Sequence, residues 1–318
     1  MKKYVEIIMT AIVVITLITL SFIFDPIRLS PNQKDTLLIL LIVCGCAIAY
    51  CFIVGEISRN NSQMDKLWSI LPIAYTWIIA VKSSMNPRQV ICAILVTLWG
   101  IRLTINFARK GAYSIKFWSG EEDYRWKLLR AKKPFNNKFI WALFDLFFIS
   151  FYQNALVLAI SLPSFASMDS NITIGLFDYI AFGGAFMFLL LETAADEQQM
   201  FFHTTKRNFL NEGKKLEELP APFNKGFNTL GLWSRSRHPN YLGEQGFWLA
   251  LYFVTLGAGS VANNFFSWSI TGPLLLIFLF LGSSLLQEGV SAGKYPEYSK
   301  YCNSVSKYIP LWKYNPNK

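Results

Sequence analysis

Between Gly231 and Glu244 the chain reads GLWSRSRHPNYLGE and runs directly into the apolar segment QGFWLALYFVTLGAG. Arg235, Arg237, His238, Asn240 and Glu244 therefore stand at the mouth of a membrane-length segment. Charge is costly there unless compensated, which makes ionisable residues in such places functional candidates by default. Pro239 suits the first turn of a helix, where its missing N–H is not needed. With a helix starting there, Asn240 and Glu244 fall four apart on one face and Arg237 lies just ahead of it. The N–H groups of that first turn, with Arg235 and Arg237, would form a phosphate seat. A positive-inside anchor, its arginines in the headgroups, accounts for the arginines equally well. It does not account for Asn240 and Glu244 behind the proline.

Two further apolar segments carry polar residues at helical spacing. In LVTLWGIRLTINFARKG, Trp99, Arg102, Asn106 and Arg109 share one face. Arg109 can snorkel to the interface, but Arg102 lies nearly two turns deeper and needs a carboxylate, a phosphate or a water-filled cavity. In LLLETAADEQQMFFHTTK, Glu192, Asp196, Gln199 and His203 again form a single face. Pairing of these acids with Arg102 or Arg237 for bundle specificity is the structural alternative. Glu288 follows the last apolar run. Tyr295, Tyr298, Tyr301 and Tyr308 would fold the tail back as interfacial tyrosines.

The elements that must position these residues are membrane helices. Of 318 residues 53% are hydrophobic and 16% charged, with a mean hydropathy of +0.32, values that suit a polytopic helical membrane protein. Tyr4–Phe24 is long enough for a bilayer core of roughly 30 Å, and it reads as an anchor, since no small-residue cleavage site precedes Asp25. Further apolar runs lie near 36–54, 67–82, 89–108, 139–162, 173–193, 245–258 and 266–286. The expectation is an all-α transmembrane bundle of about eight spans, the third and seventh interrupted or flanked by Pro72 and Gly243. The first two runs form an N-terminal hairpin over 1–60, ahead of a membrane domain over 61–318.

Nine basic residues crowd the connection 109–138, whereas 163–172 and 259–265 contain no Lys or Arg. The positive-inside rule then makes 109–138, 203–238 and the C-terminal tail cytoplasmic, and Lys2 and Lys3 put the N-terminus there too. The formal charge of +10 is mostly topology, and nucleic-acid binding is excluded for want of a soluble basic platform. Cys44, Cys46, Cys51, Cys92 and Cys302 show no metal spacing with His203 and His238, so no structural metal is expected.

GLWSRSRHPNYLGE with its apolar span, then Glu288 and KYPEYSKYCNSVSKYIPLW, resembles the C-terminal domain of the steroid 5-alpha-reductase family. The nearer likeness is to its branch of membrane proteins related to the 5-alpha reductases and the sterol C14 reductases. ADEQQMFF, LWGIRL, EEDYRW and MDKLWSILP look like recurrent blocks of that branch, so the likeness covers roughly residues 60–318. A similar Arg-His-Pro-x-Tyr block occurs in membrane isoprenylcysteine and phospholipid methyltransferases.

The resemblance implies a helical bundle holding NADPH in a polar cavity open to the cytoplasm. Asn240 and Glu244 look like the cofactor-contacting Asn and acid, Asp196 like the aspartate of the preceding block, Arg102 like the arginine of LWGIRL, and Tyr298 like a tail tyrosine. Arg235 and Arg237 are the further phosphate candidates. Asp65, in NSQMDKLW, is the nearest early acid and the candidate for the catalytic position. The tyrosine that polarises the enone in steroid reductases corresponds here to Trp99, which puts a steroid substrate in doubt.

The expected activity is hydride transfer from NADPH to an activated C=C bond of a bilayer lipid. A Gly-x-Gly-x-x-Gly in strand–helix context is absent from the sequence, so a Rossmann domain is not the cofactor site. The alternatives are a membrane methyltransferase using S-adenosylmethionine, and a non-enzymatic lipid-binding protein. The charge bias fits the endoplasmic reticulum membrane or a bacterial inner membrane.

Overall fold

Capping residues followed by proline start the long helices, as their chemistry dictates. Ser30 accepts from the Gln33 backbone and Gln33 reaches back, a capping box with Pro31 in the first turn. Asn86 caps the next long span through the Arg88 backbone, ahead of Pro87. A computed structural model describes residues 2–260 and 266–314, the side chains of residues 2 and 3 excepted. Part of the 259–265 loop, and the charges of Lys2 and Lys3, therefore lie outside the described residues.

The helices run α1 (Lys2–Phe24), α2 (Pro31–Ser58), α3 (Gln63–Leu67), α4 (Leu71–Lys82), α5 (Pro87–Ala108), α6 (Tyr124–Arg130), α7 (Lys138–Phe144), α8 (Gln153–Ala159), α9 (Leu162–Ala166), α10 (Leu176–Asn211), α11 (Pro239–Gly257), α12 (Thr271–Lys294) and α13 (Tyr298–Ser304). A π-helical segment, Asp145–Tyr152, joins α7 to α8. The described residues are 72% helical and contain no strand, so the protein is an all-helical membrane bundle.

Among the described residues six helices are long and apolar enough to cross a bilayer: Tyr4–Phe24, Pro31–Ser58, Pro87–Ala108, Lys138–Ala159, Leu176–Asn211 and Trp268–Lys294. They coincide with six of the eight apolar runs. The third run is divided, because Pro72 sits in the first turn of α4 and leaves a helix of 12 residues, about 18 Å at 1.5 Å per residue. The seventh run is α11, 19 residues long, which opens with Asn240, Glu244 and Gln245. Helix α10 has 36 residues, roughly 54 Å. It outruns the bilayer and carries Asp196, Gln199 and His203 beyond its apolar half.

The chain divides into two compact units, one of residues 16–182 and 249–275, the other of residues 1–15, 183–248 and 276–318. The first is built on a core that includes Leu40, Met64, Tyr75, Ile79, Trp126, Trp141 and Phe165, from α2, α3, α4, α6, α7 and α9. Stripping such side chains from lipid or water and packing them at crystal-like density is what makes the unit rigid. Arg88 and Asp178, 1% and 0% exposed, form a bidentate pair in it. The second unit gathers α10 from Gly183 onward, the first half of α11, α12 from Leu276 and the tail, with Phe227, Tyr298, Tyr301 and Val305 packed together.

Candidate functional site

In the second unit α11 approaches α10 as closely as two helices can. A Cβ on Gly243 would stand 2.5 Å from the Glu192 Cβ, so only glycine permits this contact. The approach lets Asn240 Nδ2 donate to Asp196 Oδ1 at 3.1 Å. The two stripes read from the sequence thus meet at these residues. Glu192 and Glu244 are buried, Asp196 and Asn240 half-buried. Glu244 Oε1 accepts from the indole of Trp248 one turn on, at 3.3 Å, and Gln199 Nε2 lies 3.1 Å from His203 Nε2.

Several polar atoms of this group are buried without a hydrogen bond. Asn240 Oδ1, Gln199 Oε1 and Gln245 Nε2 have no hydrogen-bond partner among the described residues. A buried donor or acceptor left unmade costs about 1–3 kcal/mol, and all three belong to the unit that holds the Asp196–Asn240 bond. Asn240 Oδ1 and Gln199 Oε1 accept, and the Gln245 amide nitrogen donates. Gln245 escaped the sequence reading; its signal is a second polar side chain directly behind Glu244 at the head of an apolar helix.

Arg237 has a different neighbourhood from the one its sequence position suggests. Its Nε donates to Glu288 Oε1 at 2.7 Å, and its Nη1 donates to the carbonyls of Cys302 and Val305, both at 2.6 Å. Arg237 thus grips the tail, and the phosphate-seat assignment for it gives way to a clamp. His238 joins the clamp, its Nε2 3.1 Å from the same Glu288 oxygen and its ring stacked on Tyr241 at 5.2 Å. Burial pushes the His238 imidazole below its ordinary range, with Glu288 pulling the other way. The backbone follows: Arg237 N and His238 N donate to the Ser306 and Lys307 carbonyls at 2.9 and 3.0 Å. Arg235 stays exposed. Tyr298 is 7% exposed and packs edge-on to Phe227 at 5.0 Å, a place in the tail core.

Arg102, Trp99 and Asp65 belong to the first unit. Trp99 is fully buried and Arg102 half-buried on α5. Asp65 Oδ2 accepts from the Trp126 indole at 2.8 Å and Oδ1 from Arg125 Nη2 at 3.4 Å. Burial raises the Asp65 carboxyl above the usual carboxylate range, and Arg125 opposes the rise. These partners make Asp65 a tether for the 109–138 connection. A buried acid that sequence spacing passed over, Asp145, accepts from Asn61 Nδ2 at 2.7 Å and Ser150 Oγ at 3.2 Å. It opens the π-helical segment, and the presence of an acid inside an apolar run was the available signal.

Comparison with known proteins places the sequence in a family. Residues 51–305 match the family described as "Protein of unknown function (DUF1295)". An uncharacterized protein of Schizosaccharomyces pombe is 35% identical over 281 residues, covering 81% of this chain and 77% of its own. No solved structure matches.

Proposed function

Because the chain belongs to the DUF1295 family, a steroid 5-alpha-reductase-like membrane family, we propose that it transfers a hydride from NADPH to an activated C=C bond of a bilayer lipid. The observation that carries this reading is the Asp196–Asn240 pair, with unmatched buried atoms on Asn240, Gln199 and Gln245 in the same unit. Acceptors on Asp196, Asn240, Gln199 and Glu244 and one amide donor on Gln245 complement a carboxamide and ribose hydroxyls. NADPH supplies the hydride when bound; this chain's residues orient it, and the apolar helices exclude water from the acceptor bond. Arg235, exposed beside the clamp, is the candidate phosphate ligand in this unit. A cofactor role for Arg102 is a separate proposal that rests on its depth in α5.

The carboxylates Glu192, Asp196 and Glu244 also favour a second reading, since an acid-rich set suits the ammonium and sulfonium charges of S-adenosylmethionine. That reading gives a methyltransferase of the isoprenylcysteine or phospholipid type. Trp99 in the tyrosine position supports a third, non-enzymatic lipid binding, and argues against a steroid as substrate.

Titration of detergent-solubilised protein with NADPH and with S-adenosylmethionine tests all three. Saturable NADPH binding that weakens in Asn240→Ala supports the reductase. Binding of S-adenosylmethionine alone would replace it with the methyltransferase, and binding of neither would leave a lipid-binding protein.

A further inference from the structure

The connection between α5 and α6 is held by buried side chains of the segment ahead of α4. Lys66, 0% exposed, donates from Nζ to the carbonyls of Phe117 and Ser119 at 2.6 and 2.7 Å. Gln63 Nε2 donates to Trp118 O at 2.9 Å and Asn60 Nδ2 to Gly120 O at 3.1 Å. A buried ammonium is tolerated only when its donors are met, and here the backbone of a surface turn meets them. That turn is closed by Ser119 N donating to Lys116 O at 2.9 Å.

What the turn displays is apolar. Ile115 is wholly exposed and Trp118 is 51% exposed, with exposed Lys116 between them. Helix α6 repeats the pattern. It buries Trp126 and turns Tyr124, Lys127 and Leu128 outward at three- and four-residue spacing, hence on one face. Residues 109–138 hold nine basic and three acidic residues, and two of the acids, Glu122 and Asp123, are already paired with Arg130 and Arg125 inside the connection. Both ends of the connection are ends of membrane-spanning helices, Pro87–Ala108 and Lys138–Ala159, so it lies against the bilayer surface.

We propose that residues 113–133 form a binding surface for anionic lipid headgroups. Ile115, Trp118, Tyr124 and Leu128 enter the interfacial layer, and Lys116, Lys127, Lys132 and Lys133 meet the phosphates. Orientation by positive charge needs only basic residues in a loose loop. A fixed turn with protruding isoleucine and tryptophan has the features of an interfacial anchor, and the excess of lysine selects anionic lipid.

The test uses the full-length protein in nanodiscs containing brominated phosphatidylglycerol or brominated phosphatidylcholine. The Trp118 component of quenching is the difference between wild type and Trp118→Phe, a conservative change because Gln63 holds the carbonyl and not the indole. Phosphatidylglycerol should be enriched around Trp118 by about fivefold over its bulk share. In K127E/K132E/K133E, all exposed positions, the preference should vanish while quenching by brominated phosphatidylcholine persists. Equal quenching by the two lipids in wild type, or a preference retained in the triple variant, would overturn the proposal. Trp118 emission indifferent to both lipids would show that the ridge faces water or a protein, and would equally overturn it.

Discussion

Two buried polar pairs, one in each unit, differ in a way that separates architecture from chemistry. Arg88 reaches Asp178 through Nε at 2.6 Å and Nη2 at 3.0 Å, and Nη2 also meets the carbonyls of Gly257 and Thr173 at 3.2 and 3.3 Å. Asp178 takes a further bond from the Gly175 backbone at 3.0 Å. Nothing remains for a ligand to do. Asp196 and Asn240 share a single bond at 3.1 Å, and in the same unit Asn240 Oδ1, Gln199 Oε1 and Gln245 Nε2 have no hydrogen-bond partner among the described residues. Buried polar groups are normally satisfied, so an unsatisfied set calls for a specific explanation. A completed ion pair fixes helices, whereas unmatched buried amides are where the proposed cofactor would be tested.

The sharpest way to break this contrast is to remove one side of the completed pair. Asp178→Ala leaves the Arg88 guanidinium buried opposite nothing and should cost about 3–5 kcal/mol of stability. Melting of the ligand-free protein in detergent reads this directly. A loss of under about 1 kcal/mol would mean that the pair is solvated and the contrast false.

Asn240→Ala should do the reverse. It removes an acceptor that the protein itself leaves unmatched, so nucleotide affinity is expected to weaken by about 1–3 kcal/mol, while loss of the bond to Asp196 should lower ligand-free stability by only about 0.5–1.5 kcal/mol. Glu244→Ala should behave alike, because Glu244 accepts from Trp248. Unaltered NADPH affinity in both variants would return these residues to architecture.

Arg102 can be sorted into one class or the other by the same pair of measurements. Lysine keeps the charge but not the planar fork. If the partner is a phosphate, Arg102→Lys should melt normally and lose about 1.5–3 kcal/mol of NADPH-dependent protection, the range for a hydrogen bond to a charged group. A large ligand-free loss with protection intact would assign Arg102 to the Arg88 class.

The smallest effect concerns the clamp, which belongs with the satisfied groups. The His238 imidazole titrates below its ordinary 6.5 because burial disfavours its charged form. Unfolded chains therefore bind more protons in the window just below that value. Stability contributed by neutral His238 is present above about 6.5 and is lost as pH falls through the depressed folded value. His238→Gln should flatten the slope of melting temperature against pH across this window. A slope identical to wild type would show that His238 does not report on folding.

Much of this was legible in the sequence because helices announce themselves locally. The apolar runs led to an expectation of about eight spans, six of which coincide with the helices long and apolar enough to cross a bilayer among the described residues, and 3.6-residue spacing put Glu192 with Asp196 and Asn240 with Glu244. Spacing reveals which face a side chain takes but not what it meets there. The partner of Arg237 is Glu288 and that of Asp65 is Arg125, 51 and 60 positions away. The length of α4, in the third apolar run, was open for a related reason, since Pro72 could break a long helix or begin a short one. Gly243 became informative only once its closeness to Glu192 was visible.

The clamp also has a consequence for synthesis. The unit that holds Asp196 and Asn240 is assembled from residues 1–15, 183–248 and 276–318. Arg237 and His238 wait for Glu288, the carbonyls of Cys302 and Val305 and the Ser306–Lys307 backbone, and Lys307 in turn reaches back to Glu6. The ribosome delivers those last contacts only when nearly the whole chain has emerged, whereas the Arg88–Asp178 unit is complete once residue 275 is made. A premature stop codon shortly before residue 302 would thus release a protein whose first unit is intact. Its arginine clamp would keep Glu288 but lose the Cys302 and Val305 carbonyls and the Ser306–Lys307 backbone, and membrane quality control, rather than an activity assay, would be the first to register the defect.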